Sequence, residues 1–196
     1  IKKITGFHTR NVPHKAHEFL FSESLKETDG LLLQPMIIQY KKNEYNSEVL
    51  ISSYKSLIKF YKNSKIIFST FFSYPRYGGP REAALHALVR KNYGCSHFIV
   101  GRDHAGYKKF YKIYESQTFC KKISDLLKIK ILDIKEPYFC KKCNLVVNSC
   151  DCKKKKNKIL ISGTNIRKLI LFKKKISTKL MIKRISKKLS INSLIH

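Results

Sequence analysis

Residues 6–17 read GFHTRNVPHKAH and place His8, Thr9, Arg10, Asn11, His14 and His17 within one short segment. Of 41 basic residues only Arg10, Arg76, Arg81, Arg90, Arg102, Arg167 and Arg184 are arginine. An ammonium supplies a point charge, whereas a guanidinium offers a planar fork that grips an oxyanion in a fixed orientation. Arginines in so lysine-rich a chain are candidates for that geometry, Arg10 and Arg102 first among them. His14 and His17, three apart behind Pro13, project from one face of a helix at its first turn, where backbone N–H groups favour anions. Neutral imidazoles there can donate to phosphate oxygens. A metal-binding pair and two structural histidines are the rival readings, and no third metal ligand is placed nearby.

Two further segments carry the same chemistry. Gly101-Arg102-Asp103-His104-Ala105-Gly106 joins a forked cation, a carboxylate and an imidazole between glycines that let a ligand approach backbone amides. Ser162-Gly163-Thr164-Asn165-Ile166-Arg167 opens an apolar-periodic segment with hydroxyls and N–H groups suited to phosphate, or with an ordinary N-cap by Ser162 or Thr164. Cys140, Cys143, Cys150 and Cys152 form a fourth cluster, whose spacing in a cytoplasmic chain suggests zinc before disulfide. Cys95 and Cys120 fall in apolar-patterned segments and are expected in the core.

The elements that must position these groups alternate. Strands are predicted at IKKITGF, LLLQPMII, KIIFST, HFIV and IKILDI. Helices are predicted through HKAHEFLFSESLK, over 47–63, over PREAALHALVRKNYG and over 111–128. Such alternation implies an α/β fold with a mostly parallel sheet covered on both faces, where ligands bind beyond the carboxyl ends of the strands. HTRN follows the first strand and GRDHAG the fourth, so both fall at that rim. Residues 1–173 are expected to form this domain, with a small Cys-rich knuckle at 137–158 inside it. Residues 174–196 are expected to form a basic tail, one amphipathic helix with Ile176, Leu180, Ile185 and Leu189 as its stripe.

Composition excludes some functions. A hydrophobic content of 43% fits a globular chain, and no apolar run approaches the roughly 20 residues of a membrane span. No long apolar core of a secretory signal opens the sequence, so a cytoplasmic protein is expected. A formal charge of +28 invites a nucleic-acid reading. Against it, the lysines are scattered through every segment, where a built groove concentrates charge and interleaves aromatics. Non-specific polyanion binding at low salt is expected all the same.

The blocks HTRNVPHKAHEFL, GGPREAALHALVRKNYGCSHFIVGRDHAG, EPYFCKKC and ISGTNIRKL, in this order over roughly residues 4–170, resemble the ATP sulfurylase (sulfate adenylyltransferase) family. HxxH with ISGTxIR also resembles the wider nucleotidylyltransferase superfamily and implies its Rossmann-like fold. The resemblance implies transfer of an adenylyl group from ATP to sulfate in sulfate assimilation or its reverse, with Mg²⁺ accompanying ATP. It implies catalytic roles for Thr9, Arg10 and Asn11, and sulfate binding by His8, Arg10 and the backbone of Ala105. ATP binding is implied for His14, His17, Gly101, Arg102, Asp103 and His104, and the reading of the 162–167 segment adds Ser162, Thr164 and Arg167. The family carries a separate domain ahead of the matching region, expected here to be missing or supplied as another chain, and a homo-oligomer is expected.

Two departures from the family stand out. His8 occupies a position where the family usually has glutamine, so an imidazole that can titrate replaces an amide. Some relatives carry a zinc knuckle whose ligands match Cys140, Cys143 and Cys152; their final histidine falls near Lys156, and Cys150 is the expected fourth ligand. The alternatives are a nucleotidylyltransferase with another acceptor, a degenerate nucleotide-binding homologue, and a basic nucleic-acid-binding protein on an inherited enzyme fold.

Overall fold

A computed structural model describes residues 2–37, 42, 44–61, 65–152 and 155–195. Ile38 of the second expected strand and residues 62 and 63 of the second expected helix lie outside the described residues. The chain divides into two units, the first comprising Ile1–His8, Ser22–Gln34 and Lys65–Glu136, the second Thr9–Phe21, Pro35–Ser64 and Pro137–His196.

The first unit is organised by the sheet β3-β2-β1-β5-β6, with β4 paired to β2. Its strands are β1 (Ile4–Thr9), β2 (Gly30–Ile37), β3 (Ile66–Phe68), β4 (Phe71–Phe72), β5 (His97–Ile99) and β6 (Lys130–Leu132). The pairs β1/β5, β2/β3 and β5/β6 are parallel, with Gly6 opposite Phe98. β1 is buried along almost its whole length and β5 along all of it, as expected of strands covered on both faces. Sequence order along the sheet reverses between β1 and β5, the switch point at which doubly wound folds open a crevice at the carboxyl ends.

Helix α3 (Pro80–Asn92) starts on a proline behind Gly79 at φ 53° and stops before Gly94 at φ 87°, as the sequence signals predict. Its alanines Ala83, Ala84 and Ala87 pack with Phe98, Val100, Ile129 and Ile131 in one core. Cys95 and Cys120 join that core, and burial pushes both thiols up to about 11, so they behave as small apolar residues.

The helix expected over 111–128 is instead α4 (Glu115–Lys122) and α5 (Ser124–Leu127). The Phe110 N–H closes a turn on the Tyr107 carbonyl with Lys108 at φ 51°, and the Glu115 carboxylate accepts from the Lys112 N–H. Those local bonds compete with helix over 107–114.

The second unit holds α1 (Lys15–Ser24), α2 (Ser47–Tyr61), an antiparallel sheet β8-β7-β9, α6 (Gly163–Leu171) and α7 (Lys183–Ser186). The strands are β7 (Tyr138–Cys140), β8 (Leu145–Val147) and β9 (Lys158–Leu160). Asn46 caps α2 by accepting from the Val49 N–H at 2.8 Å, and Leu50, Tyr54 and Leu57 form its buried face.

The single helix expected from 174 does not form. The segment makes turns, the short α7 and a 3-10 turn at Ile191–Ser193, and it buries Ile176, Met181, Ile182, Ile185 and Leu194 piecemeal. No carboxylate occurs from 152 to the end of the chain, so its lysines have none of the i,i+4 partners that sustain a charged helix. Ser190 and Ser193 exchange hydrogen bonds with the backbone instead. Among the described residues no helix is long and apolar enough to cross a membrane.

Candidate active site

In the second unit the expected catalytic residues sit in a network of ion pairs and hydrogen bonds. Arg10 Nη1 lies 3.3 Å from Glu44 Oε1, and Arg167 Nη1 lies 3.7 Å from Glu44 Oε2. Arg167 also donates to Asn11 Oδ1. The Asn11 carbonyl accepts from the Tyr54 hydroxyl at 3.1 Å, and its N–H donates to Thr9 Oγ1 at 3.1 Å. Asn11 is therefore held through side chain and both backbone groups, and two guanidiniums share one buried carboxylate. Burial raises the Tyr54 hydroxyl well above its usual range, so it stays a donor.

The first turn of α6 meets this network. Ser162 Oγ accepts from the Asn165 N–H at 3.2 Å, the N-cap bond the sequence left open. A β-carbon on Gly163 would lie 2.2 Å from Asn11 Cγ, so the glycine is required by the close approach. Thr164 is exposed on that turn.

His14 and His17 are both buried and their rings stack at 3.7 Å. The His17 N–H donates to His14 Nδ1 at 3.3 Å, which leaves the His14 hydrogen on Nε2. Burial lowers His14 to about 3, with the Arg167 charge adding to it, and lowers His17 well below the usual imidazole value. Both rings are neutral at neutral pH, each with one N–H to donate.

That neutrality predicts a pH dependence of stability. An unfolded chain protonates both rings near 6.5, so it binds more protons than the folded chain below that value. Stability present above pH 6.5 is lost as pH falls toward the folded His14 value of about 3. The slope approaches about 1.4 kcal/mol per pH unit for each histidine. Urea unfolding at pH 7, 6 and 5 checks this, and a flat dependence contradicts it.

In the first unit His8, at the end of β1, and the loop after β5 flank the switch point. Arg90 Nη2 lies 2.5 Å from His8 Nδ1, and the His8 ring lies 4.1 Å from His86 and 6.0 Å from His104. His86 Nδ1 and His104 Nε2 share a hydrogen at 3.0 Å. Glu82 lies 3.7 Å from His86 Nε2 and accepts from the N–H groups of Arg76 and Gly78 at 3.0 and 2.9 Å.

The loop is bent by Asp103 at φ 52° and Ala105 at φ 56°. The Asp103 N–H is spent on the Ile113 carbonyl, and the Ala105 carbonyl accepts from the Gly79 N–H. Burial raises the Asp103 carboxyl, with the Arg102 charge opposing. Arg102 pairs with Glu136 at 2.9 Å, and a β-carbon on Gly101 would meet no atom within 4 Å.

The structure thus brings Thr9, Arg10, Asn11, Ser162 and Arg167 into one network, stacks His14 on His17, and sets His8 beside His104. Sequence reasoning missed Glu44, Tyr54, Glu82 and His86 and left Arg90 unassigned. The scarcity of arginine was the signal for Arg90; nothing in the pattern singled out the other four.

The expected metal cluster also assembles. The sulfurs of Cys140, Cys143, Cys150 and Cys152 lie within 4.8 Å of one another, with Cys143 and Cys152 3.4 Å apart. The backbone N–H of Cys143 lowers the Cys140 thiol to about 7, while hydrogen bonds with Cys152 and Cys140 raise the Cys143 thiol to about 12.

The ATP-sulfurylase family model matches residues 1–191. The sulfate adenylyltransferases of Ignicoccus hospitalis and Hyperthermus butylicus are 43% and 42% identical over 172 residues, 87% of this chain. The chain spans about half the length of these relatives, 45% and 44%. A hexameric APS kinase from Thiobacillus denitrificans superposes with a TM-score of 0.69 at 16% identity, covering 94% of this chain and 35% of that one. A putative nicotinate-nucleotide adenylyltransferase from Vibrio parahaemolyticus gives 0.52 at 22%, covering 95% and 97%. Those two likenesses speak to the fold alone. With a family match that runs through all three chemistry-bearing motifs and the cysteine cluster, the chain belongs to the ATP-sulfurylase family.

Proposed function

We propose that this chain carries the adenylyl-transfer centre of a sulfate adenylyltransferase, converting ATP and sulfate into adenosine 5′-phosphosulfate and pyrophosphate. The observation that carries the reading is the pairing of Arg10 and Arg167 on Glu44 around a triply held Asn11, beside two buried neutral histidines. Two forked cations balanced by a single carboxylate suit a site that receives anions.

A sulfate oxygen attacks the α-phosphorus in line, the bond to the bridging oxygen breaks, and its electron pair leaves with pyrophosphate. No covalent enzyme intermediate forms. Arg10 and His8, with the backbone of Ala105, hold sulfate against the repulsion of the triphosphate. Thr9 fixes the turn that presents Arg10 and Asn11. Asn11, His14, His17 and Arg167 bind phosphate oxygens as charge builds on the leaving group. Ser162 and Thr164 present the first turn of α6, and the loop Gly101 to His104 receives the nucleotide. Mg²⁺ enters with ATP as part of the substrate.

Sulfate-dependent release of pyrophosphate from ATP tests the reading, with molybdate replacing sulfate as acceptor. ATP binding without either turnover supports the degenerate homologue, and RNA affinity surviving high salt supports the nucleic-acid reading. We place the protein in the cytoplasm as a homo-oligomer, with 1–173 as the catalytic domain and 174–196 as an appended tail.

The thiols of Cys140, Cys143, Cys150 and Cys152 would hold a structural Zn²⁺; an all-sulfur set with four donors leaves no position for substrate. The ion would tie the knuckle to β7 and supply stability, not chemistry. One equivalent of zinc per chain is expected. Chelation or Cys150→Ser should lower Tm by roughly 10 °C, the shift for about 3 kcal/mol in a domain of this size. An unchanged Tm on chelation contradicts the assignment.

A further inference from the structure

Arg90 is a fully buried arginine on a face of α3 that it shares with Glu82 and His86 at i, i+4 and i+8. Gly6 of β1 makes room for it: a β-carbon there would lie 2.6 Å from Arg90 Cγ. The guanidinium rests 4.7 Å from the centre of the Phe71 ring and 6.0 Å from that of Phe98. Among the described residues no carboxylate lies within ion-pair distance of it. Burial lowers it to about 10, which leaves it a cation at neutral pH.

An arginine has donors only, so its contact with His8 makes Nδ1 the acceptor and puts the imidazole hydrogen on Nε2. Protonation of His8 would set N–H against N–H and bring a second cation against a buried one. Among the groups facing His8 are His86 of α3, His104 of the loop after β5, and Phe71 of β4. The carboxylate of the stripe, Glu82, stands against His86 and is bonded by two backbone N–H groups.

We propose that Arg90 is a positioning residue that locks His8 as the neutral Nε2–H tautomer, making His8 a donor-only contact for the acceptor oxyanion. This rests on the reading of His8 as a sulfate contact. A donor-only ring favours an oxyanion without hydrogens over hydrogen phosphate, whose O–H needs an acceptor. It also removes the titration that an imidazole at this position would otherwise bring to substrate recognition.

The test is ¹⁵N NMR of the full chain labelled in histidine, with His8 assigned by the signals lost in His8→Asn. Between pH 8 and 6, His8 should show an unprotonated Nδ1 and a protonated Nε2 that do not titrate. The opposite tautomer, or titration in that window, overturns the proposal. In Arg90→Met, phosphate should inhibit about 10-fold more strongly relative to the KM for sulfate, and that KM should become pH-dependent, with partial recovery in Arg90→Lys. Wild-type selectivity and a flat profile in Arg90→Met also overturn it; if the variant does not fold, the wild-type spectrum decides. The expected tautomer in a protein without sulfate-dependent turnover would sink the acceptor reading and leave the Arg90–His8 assignment standing.

Discussion

Arg10→Lys is expected to lose at least about 100-fold in turnover, the scale of one oxyanion donor removed from a transition state. Lysine can keep the ion pair with Glu44, because an ammonium reaches a carboxylate 3.3 Å away as well as a guanidinium does. It cannot keep that pair and present a second, coplanar N–H to an anion, which is what the fork provides. The Arg10 side chain is partly exposed and lysine keeps a cation beside Glu44, so folding should change little. The variant should therefore melt like the parent while its kcat for sulfate-dependent pyrophosphate release falls. Near-normal turnover removes Arg10 from the role assigned to it.

Gly163→Ala should damage turnover comparably without touching any charged group. The added carbon would sit 2.2 Å from Asn11 Cγ and a similar distance from both amide heteroatoms, so Asn11 must move. Asn11 carries Arg167 on its Oδ1 and Tyr54 on its carbonyl, so the displacement reaches both partners. A shift of about 1 Å at a positioning group costs on the order of 100-fold. Overpacking of this kind also costs roughly 1–3 kcal/mol in stability, so Tm and kcat are to be measured together. Full activity in a folded Gly163→Ala protein means that Asn11 is not held where the mechanism needs it.

Much of the fold was legible because hydrophobic period and punctuation agreed. Pro80 and Gly94 bracket α3, and the short apolar runs HFIV and IKILDI became β5 and β6. Two segments were misread for reasons of local chemistry. Apolar spacing over 111–128 hid side-chain and turn bonds that delay the helix to Glu115. In the tail a helical stripe lacked the acidic partners that would hold it.

At the site, motif residues were legible because arginine is scarce and because HTRN and GRDHAG follow strands. Glu44 and Tyr54 were not, since each acts through a contact set by tertiary structure. The Glu82, His86 and Arg90 stripe inverts the usual pattern, polar side chains being buried on the inward face of a helix. A reading based on hydrophobicity places such residues outside.

The most direct measurement follows ATP labelled at the α-phosphorus, with magnesium and sulfate, and quantifies adenosine 5′-phosphosulfate against pyrophosphate. The account predicts equal amounts of the two products, none without sulfate, and a parallel fall of both in Arg10→Lys. Pyrophosphate released without sulfate, or nucleotide bound with no labelled product, would contradict it.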